Sequence, residues 1–211
     1  MTNPWLHIPE ADYVGHMSHP AVNQRSVLNR LMRNVLEDVQ PRTCLVLGCS
    51  TGNGLEHVNA AVTERVLAVD VNASYLQRLV DRFPNPGFDL QIRCADLDDA
   101  VFEPEAFDMV HAALVFEYVE WRPLVTRISR ALAAGGGLSL VLQRPSSSSP
   151  AVTPTEFTSL VSLEALFRFV DPEDVVNTAG DAGLRLVTRR IEPLPGGKAF
   201  EVLRFERTSI E

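Results

Sequence analysis

Seven residues placed between an apolar run and an amphipathic one carry the first chemical signal. They are Gly48, Cys49, Ser50, Thr51, Gly52, Asn53 and Gly54, directly after "TCLVL". A strand that ends in a glycine turn and leads into a helix presents backbone N–H groups and a helix N-terminus to a ligand. Two acids follow at the ends of later apolar runs. Asp70 closes "VLAVD", 22 residues past Gly48, where a carboxylate can accept hydrogen bonds from both hydroxyls of a ribose. Asp96 follows the next run, in "CADLDD", where an acid can accept from an adenine amine. Alone, Asp70 reads equally well as the N-cap of the following helix. The three features in order, each at a strand end, favour a ligand over three separate caps.

The familiar phosphate binders do not fit. A P-loop needs GxxxxGK followed by Ser or Thr, and no lysine follows this turn. The dinucleotide fingerprint GxGxxG is absent too. The spacing found, GxxxGxG, occurs in short-chain dehydrogenases, which also need a Tyr-x-x-x-Lys pair. The single lysine, Lys198, has Pro195 three places and Leu194 four places before it, so a nicotinamide-dependent reductase lacks its catalytic residues.

The elements that must position these residues are legible from periodicity. "TCLVLG", "RVLAVD", "FDLQIRCAD", "FDMVHAALV" and "LSLVLQ" are short, apolar on both faces, and read as buried strands. Between them, "NGLEHVNAAV", "NASYLQRLVDRF" and "WRPLVTRISRALAAGGG" read as helices, the second capped by Asn72 or Ser74, the third stopped at Gly135–Gly137. "SVLNRLMRNVLEDV" is an amphipathic helix ahead of the first strand, and Asp171 with Pro172 opens another in "DPEDVVNTAGDAGLRLV". Two β-rich runs around "PGG" make a terminal hairpin, so the last strand is expected to run antiparallel. "RPSSSSPAVTPTEF", Arg144 to Phe157, is Ser/Pro-rich and reads as a mobile linker or a lid, with mobility favoured. The expected fold is α/β: a Rossmann-like, seven-stranded, mostly parallel sheet with an antiparallel C-terminal hairpin strand, helices on both faces and an N-terminal helical cap. Residues 1–40 form the cap segment and its helix, and residues 41–211 the ligand-binding domain, in one domain overall.

Ligands of open α/β sheets bind beyond the carboxyl ends of the strands, which puts "AALVFEYVEW" beside the glycine turn. Glu117 and Tyr118 are candidate catalytic residues there, although Tyr118 reads equally as a packing residue. "DYVGHMSHPAVNQ" offers Tyr13, His16 and His19. Both histidines titrate near working pH and qualify as bases, His16 ahead of His19, while an isolated surface histidine is more often idle. Two histidines three apart without a third ligand do not point to a metal.

The whole chain narrows the classes further. With 211 residues and 45% apolar content it can bury one sizeable core, and it has no apolar run long enough for a bilayer. A net charge of −8 and scattered arginines argue against nucleic acid as a partner. Three cysteines with no CxxC pair, and no basic or apolar leader in "MTNPWLHIPE", point to a reducing, cytoplasmic compartment.

From about Thr43 to Arg207 the chain resembles the class I S-adenosylmethionine-dependent methyltransferases. The glycine turn, Asp70, Asp96, "FDMVHAALVFEYV", "ISRALAAGGGLSLVL" and the terminal hairpin carry the resemblance. It implies S-adenosylmethionine as cofactor, held by Gly48, Cys49, Ser50, Gly52, Asn53 and Gly54, by Asp70 with Val71, by Asp96 with Leu97, and by Ala113. It implies an N-terminal segment that covers the donor, with Tyr13 among its contacts and His16, Glu117 and Tyr118 near the acceptor. Two positions depart from the family. Val46 stands where the loop usually begins with an acid, and Ser50 replaces the middle glycine. The acid usually helps hold the methionine amino group, so another group must do so here, and "DYVGHM" is the expected supplier. The implied function is methyl transfer to a small molecule, since the chain has no large target-recognition insertion. The alternative is a non-catalytic S-adenosylmethionine-binding or interaction module. A homodimer is left open.

Overall fold

The computed structural model describes residues 3–147 and 149–208. Seven strands form one sheet: β1 (Thr43–Leu47), β2 (Arg65–Asp70), β3 (Asp89–Cys94), β4 (Phe107–Ala113), β5 (Leu132–Gln143), β6 (Leu184–Pro193) and β7 (Ala199–Arg207), in the order β3-β2-β1-β4-β5-β7-β6. The pairings from β3 through β5 are parallel, and β7 alone is reversed, antiparallel to both β5 and β6. The seven-stranded, Rossmann-like expectation with an antiparallel C-terminal hairpin strand therefore holds.

The apolar runs are buried on both faces because alternate side chains feed two cores. Leu45, Leu47, Leu67 and Val69 join one cluster. That cluster is closed by Leu124, Val125 and Ile128 of α4 (Trp121–Ala131) and Val175 and Ala179 of α5 (Pro172–Asp181). Cys44, Val46, Val66 and Ala68 point the other way, against Met32, Val35 and Leu36 of α2 (Gln24–Val39) and Leu76 and Leu79 of α3 (Ala73–Arg82). Helices thus cover both faces. Asn72 caps α3, its side chain accepting from Ser74 and Tyr75 N–H, and Asp171 caps α5 through Glu173 N–H.

Two local expectations are corrected. "NGLEHVNAAV" is not a helix beyond one 3₁₀ turn, Leu55–His57. Asn59 ends it by accepting from Ala61 N–H through its own side chain, a local bond that competes with helix continuation. Gly135–Gly137 do not stop α4. The helix ends at Ala131, and the glycines fall within β5, where its pairing with β4 is interrupted by a bulge between Leu132 and Gly137. Gly15 is set by packing. It lies inside α1 (Glu10–Ser18), where a Cβ would meet the Phe157 ring at 2.3 Å. The glycine is what lets Phe157 seat against the helix.

The stretch 144–157, of which Ser148 lies outside the described residues, is not a loose linker: with residues 158–167 it forms a lid. Val152 is buried with Ile8, Leu160 and Leu163 in a small cluster that contains no residue of the sheet. Polar bonds fasten it: Lys198 Nζ and Gln143 Nε2 both donate to Ala151 O, at 2.9 and 2.8 Å. Ser159 donates to Asp12 at 2.7 Å. Proline and serine lower the local propensity for regular structure, but these anchors come from distant parts of the chain and were invisible to composition.

Candidate functional site

The sheet order changes direction between β1 and β4, and a deep cavity opens at the carboxyl ends of these strands. This is the crevice in which open α/β sheets bind ligands. Gly48 lines it just after β1, with φ of +63°. A Cβ on Gly48 would come within 2.5 Å of the Val115 side chain, so both the backbone angle and the room require glycine. Ser50 also lines the cavity, with φ of +48°, a conformation that costs a residue bearing a Cβ. Its Oγ is buried and has no hydrogen-bond partner in the protein. An orphaned hydroxyl facing a cavity is the mark of a ligand group not supplied by the chain.

Asp70, with Val71, forms the next wall. Its carboxylate accepts from Ser50 N–H at 2.8 Å and Asn72 N–H at 2.9 Å, one on each oxygen. The cap of the following helix is Asn72 and not Asp70, whose carboxylate instead ties the glycine turn to the end of β2. Each oxygen keeps a lone pair for a ligand hydroxyl. Burial raises its pKa, and the backbone N–H groups oppose this. Asp96 and Leu97 follow on the same rim with Asp98, and Ala113 closes the floor at the end of β4.

Five residues of the glycine turn do not line the cavity, Thr51 and four that were expected to hold the donor. Cys49 points into the core beneath the sheet, and burial pushes its thiol well above the ordinary range. Asn53 donates to Arg25 O at 2.9 Å and accepts from Asn29 at 3.1 Å, fastening the turn to α2. A Cβ on Gly54 would lie 2.7 Å from Met32, and one on Gly52 would lie 2.9 Å from Leu79. These glycines let α2 and α3 pack close to the turn.

Above the strands, Trp5, Tyr13, His16 and Met17 descend from the N-terminal segment into the cavity. Asn72 Nδ2 donates to Trp5 O at 2.8 Å and Tyr75 Oη to Ile8 O at 3.1 Å, which holds the segment over the end of β2. Burial pushes the Tyr13 phenol up to about 12, with the nearby Ser50 hydroxyl opposing the shift. The two hydroxyls approach each other without forming a hydrogen bond. His16 Nδ1 lies 2.9 Å from Thr155 Oγ1, and burial lowers its pKa to about 4, aided by Lys198, so the ring is neutral at working pH. His19 stays at the surface, 3.6 Å from Glu156.

Tyr118 lines the cavity, in edge contact with Trp5 and Phe167. Glu117 does not. It lies behind the wall, 1% exposed, with Oε1 accepting from Gln143 N–H at 2.7 Å and Oε2 unpartnered. Burial pushes its pKa up to about 7 from 4.5, with backbone N–H groups opposing. Because the unfolded chain releases this proton at lower pH than the folded one, Glu117 weakens the fold as pH rises from 4.5 to 7. We expect Glu117→Gln to be stabilising relative to the parent at pH 8 and not at pH 4. The gain, read by urea titration, is up to about 3 kcal/mol. A difference independent of pH would mean that folding does not shift the Glu117 pKa.

Sequence reasoning missed Gln24, Leu28, Leu114 and Gln143, and the lid residues Val152, Leu160, Leu163 and Phe167, all of which line the cavity. Leu114 carries φ of +56°, strain of the kind that collects at functional sites. One signal was available: Gln143 is a polar residue closing an otherwise apolar strand. The lid residues had none, because they reach the cavity through tertiary packing.

Comparison with known proteins places this architecture. Residues 45–140 match the family described as "Methyltransferase domain". No curated protein matches the chain in sequence. Among solved structures, the N-methyltransferase NodS from Bradyrhizobium japonicum WM9, in complex with S-adenosyl-L-homocysteine, is 20% identical, covering 88% of each chain with a TM-score of 0.67. A geranyl diphosphate methyltransferase in complex with SAM is 15% identical, covering 92% of this chain and 91% of its own at a TM-score of 0.70. The cyclase SpnF shares the fold at 13% identity, covering 88% of this chain and 83% of its own, with a TM-score of 0.69. Residues 45–140 thus carry a methyltransferase domain, and the chain shares the fold of these methyltransferase structures. Two of the solved structures that share this fold hold S-adenosylmethionine or its demethylated product. Among the described residues no helix is long and apolar enough to cross a membrane.

Proposed function

We propose that the protein methylates a small molecule inside this one cavity. The observation that carries the reading is the continuity of the cavity: a donor half built from Gly48, Ser50, Asp70, Asp96 and Leu97 runs directly into a half walled by Trp5, His16, Tyr118, Gln143 and the lid. Walls from the N-terminal segment and the lid narrow the approach to this half, which favours a small acceptor over a bulky polymer. NodS and the geranyl diphosphate methyltransferase, which share the fold, are named for methyl transfer, and the second for a small acceptor.

In this reading Asp70 accepts the ribose hydroxyls and Asp96 the adenine amine. Ser50 Oγ and the Tyr13 hydroxyl take the methionine end that an acid holds in other members. The orphaned state of Ser50 Oγ supports this. S-adenosylmethionine supplies a methyl group already activated on a sulfonium. The chain's own contribution is alignment and exclusion of water, and orientation of reactants is worth about 7–11 kcal/mol. The aromatic rings of Tyr13 and Tyr118 and the acids on the donor rim suit a cationic centre. His16 is neutral and able to take a proton; Glu117 acts from behind the wall by holding Gln143. Three free thiols, Cys44, Cys49 and Cys94, suit a reducing compartment such as the cytoplasm.

The test is native mass spectrometry of freshly purified protein followed by calorimetry. Bound S-adenosylmethionine or S-adenosylhomocysteine is expected, and NADH is expected not to bind. Label from the methyl donor should then appear in a small acceptor from a metabolite pool. Tight donor binding without transfer to any small acceptor would refute the small-molecule reading.

A further inference from the structure

We infer that the acceptor is an apolar, ring-bearing molecule that presents a weakly acidic hydroxyl, and not a protonated amine. The inference rests on the donor and acceptor halves assigned above. The carboxylates that line the cavity, Asp70, Asp96 and Asp98, all stand on the donor rim. The other half is walled by apolar side chains from four separated segments: Trp5 and Met17, Leu28, Tyr118, and Leu163 with Phe167 of the lid region. Its polar groups are uncharged or cationic. Gln24 Nε2 donates to Gln143 Oε1 at 3.3 Å, and both amides line the wall. His16 sits beside them. Immediately behind, Lys198 Nζ donates to Ala151 O, the same carbonyl that Gln143 holds.

The acids near this half face away from it or are covered. Asp12 is engaged by Ser159, Glu156 lies beside His19, and Glu117 is sealed behind Gln143 with no place on the lining. An ammonium group entering here would lose its water, meet no carboxylate, and share the cavity with a bound donor's sulfonium near the Lys198 ammonium. Burial of an unpaired charge is costly, and two like charges make it more so. An oxygen that sheds its proton gains from both cations. Rings suit the walls, because Trp5, Tyr118 and Phe167 already form an edge-to-face series with centroids 5.1 and 5.5 Å apart.

The proton has a place to go. Thr155 Oγ1 accepts from Phe157 N–H at 3.4 Å and lies 2.9 Å from His16 Nδ1. With the ring proton on Nδ1, shared with that oxygen, Nε2 is left as the acceptor. In the transfer step the O–CH₃ bond forms as the S–CH₃ bond breaks. Sulfur keeps the bonding pair, and the hydroxyl proton passes to Nε2. A histidine held at low basicity is a weak base. It suits a hydroxyl of phenol-like acidity, near 10, better than an alkanol.

The experiment is calorimetry on the full chain loaded with S-adenosylhomocysteine, at pH 7, with two probes that share one ring system: 2-naphthol and 2-naphthylmethylamine. We expect 2-naphthol to bind at least about tenfold more tightly, the scale set by one uncompensated buried charge. In Gln24→Glu, which adds a carboxylate to the wall, the preference should fall by about tenfold or reverse. Equal binding, tighter binding of the amine, or binding of neither probe overturns the inference, as does an unchanged preference in the variant. If S-adenosylhomocysteine itself fails to load, the donor assignment falls first, so the two failures are told apart.

Discussion

Replacing Asp70 by alanine is expected to lower donor affinity by at least about 3 kcal/mol, or about 100-fold, because the side chain does two jobs at once. Each ribose hydroxyl that donates to the carboxylate contributes about 1.5–3 kcal/mol, the range for hydrogen bonds to a charged group. The same carboxylate also accepts Ser50 N–H and Asn72 N–H, so its loss frees the turn that presents Gly48 and Ser50. The fold should survive, since β2 remains buried between β1 and β3. Titration calorimetry with S-adenosylhomocysteine reads the effect, and circular dichroism confirms the fold. Asp70→Asn separates the two roles. It retains one acceptor and adds a donor, so it should keep part of the turn while losing most of the ribose contribution. An alanine variant within about threefold of the parent affinity would remove Asp70 from the donor site.

Removing residues 1–19 is expected to leave the sheet folded while transfer falls to background. The two large clusters on the faces of the sheet contain no residue from this segment. Its buried residues join the small lid cluster instead, where Ile8 meets Val152, Leu160 and Leu163. The truncation therefore strips Trp5, Tyr13, His16 and Met17 from the cavity and releases the lid from Phe157 onward. Losing even one buried aromatic contact weakens donor binding by about 1.5–3 kcal/mol, about tenfold or more. Water then reaches the reacting centre, which the closed segment excludes. Hydrogen exchange gives an independent readout: backbone amides of α1 should become protected when S-adenosylhomocysteine is added to the full chain. A truncated protein with full donor affinity and full turnover would show that the N-terminal segment is an appendage.

The glycine turn teaches a narrower lesson about motif reading. Its residues were expected to act together on the donor, yet the structure divides them. Gly48 and Ser50 face the cavity, whereas Gly52, Asn53 and Gly54 meet α2 and α3. A run of glycines reports that backbone must approach something closely. It does not report whether that something is a ligand or a neighbouring helix, because both remove the room for a Cβ.

The sequence alone determined the sheet, its parallel body and reversed last strand, the capped helices and the chemical address of the site. Each of these is local: two-residue and helical periodicity set the elements, cap and turn residues set their ends, and acids at successive strand ends mark the crevice. Gly48, Asp70 and Asp96 were therefore readable one by one. Tertiary structure decided the other half of the cavity. Gln24 and Gln143 are 119 residues apart, and His16 and Thr155 are 139 apart, so no spacing rule links them. The lid looked mobile because its composition is poor in apolar residues, and it is held instead by distant partners such as Lys198 and α1. Glu117 read as a site residue and proved to be sealed behind one, since burial depends on what the lid and β5 place around it. Periodicity fixes which face of an element is apolar; only the assembled chain decides which polar groups end up facing the same space.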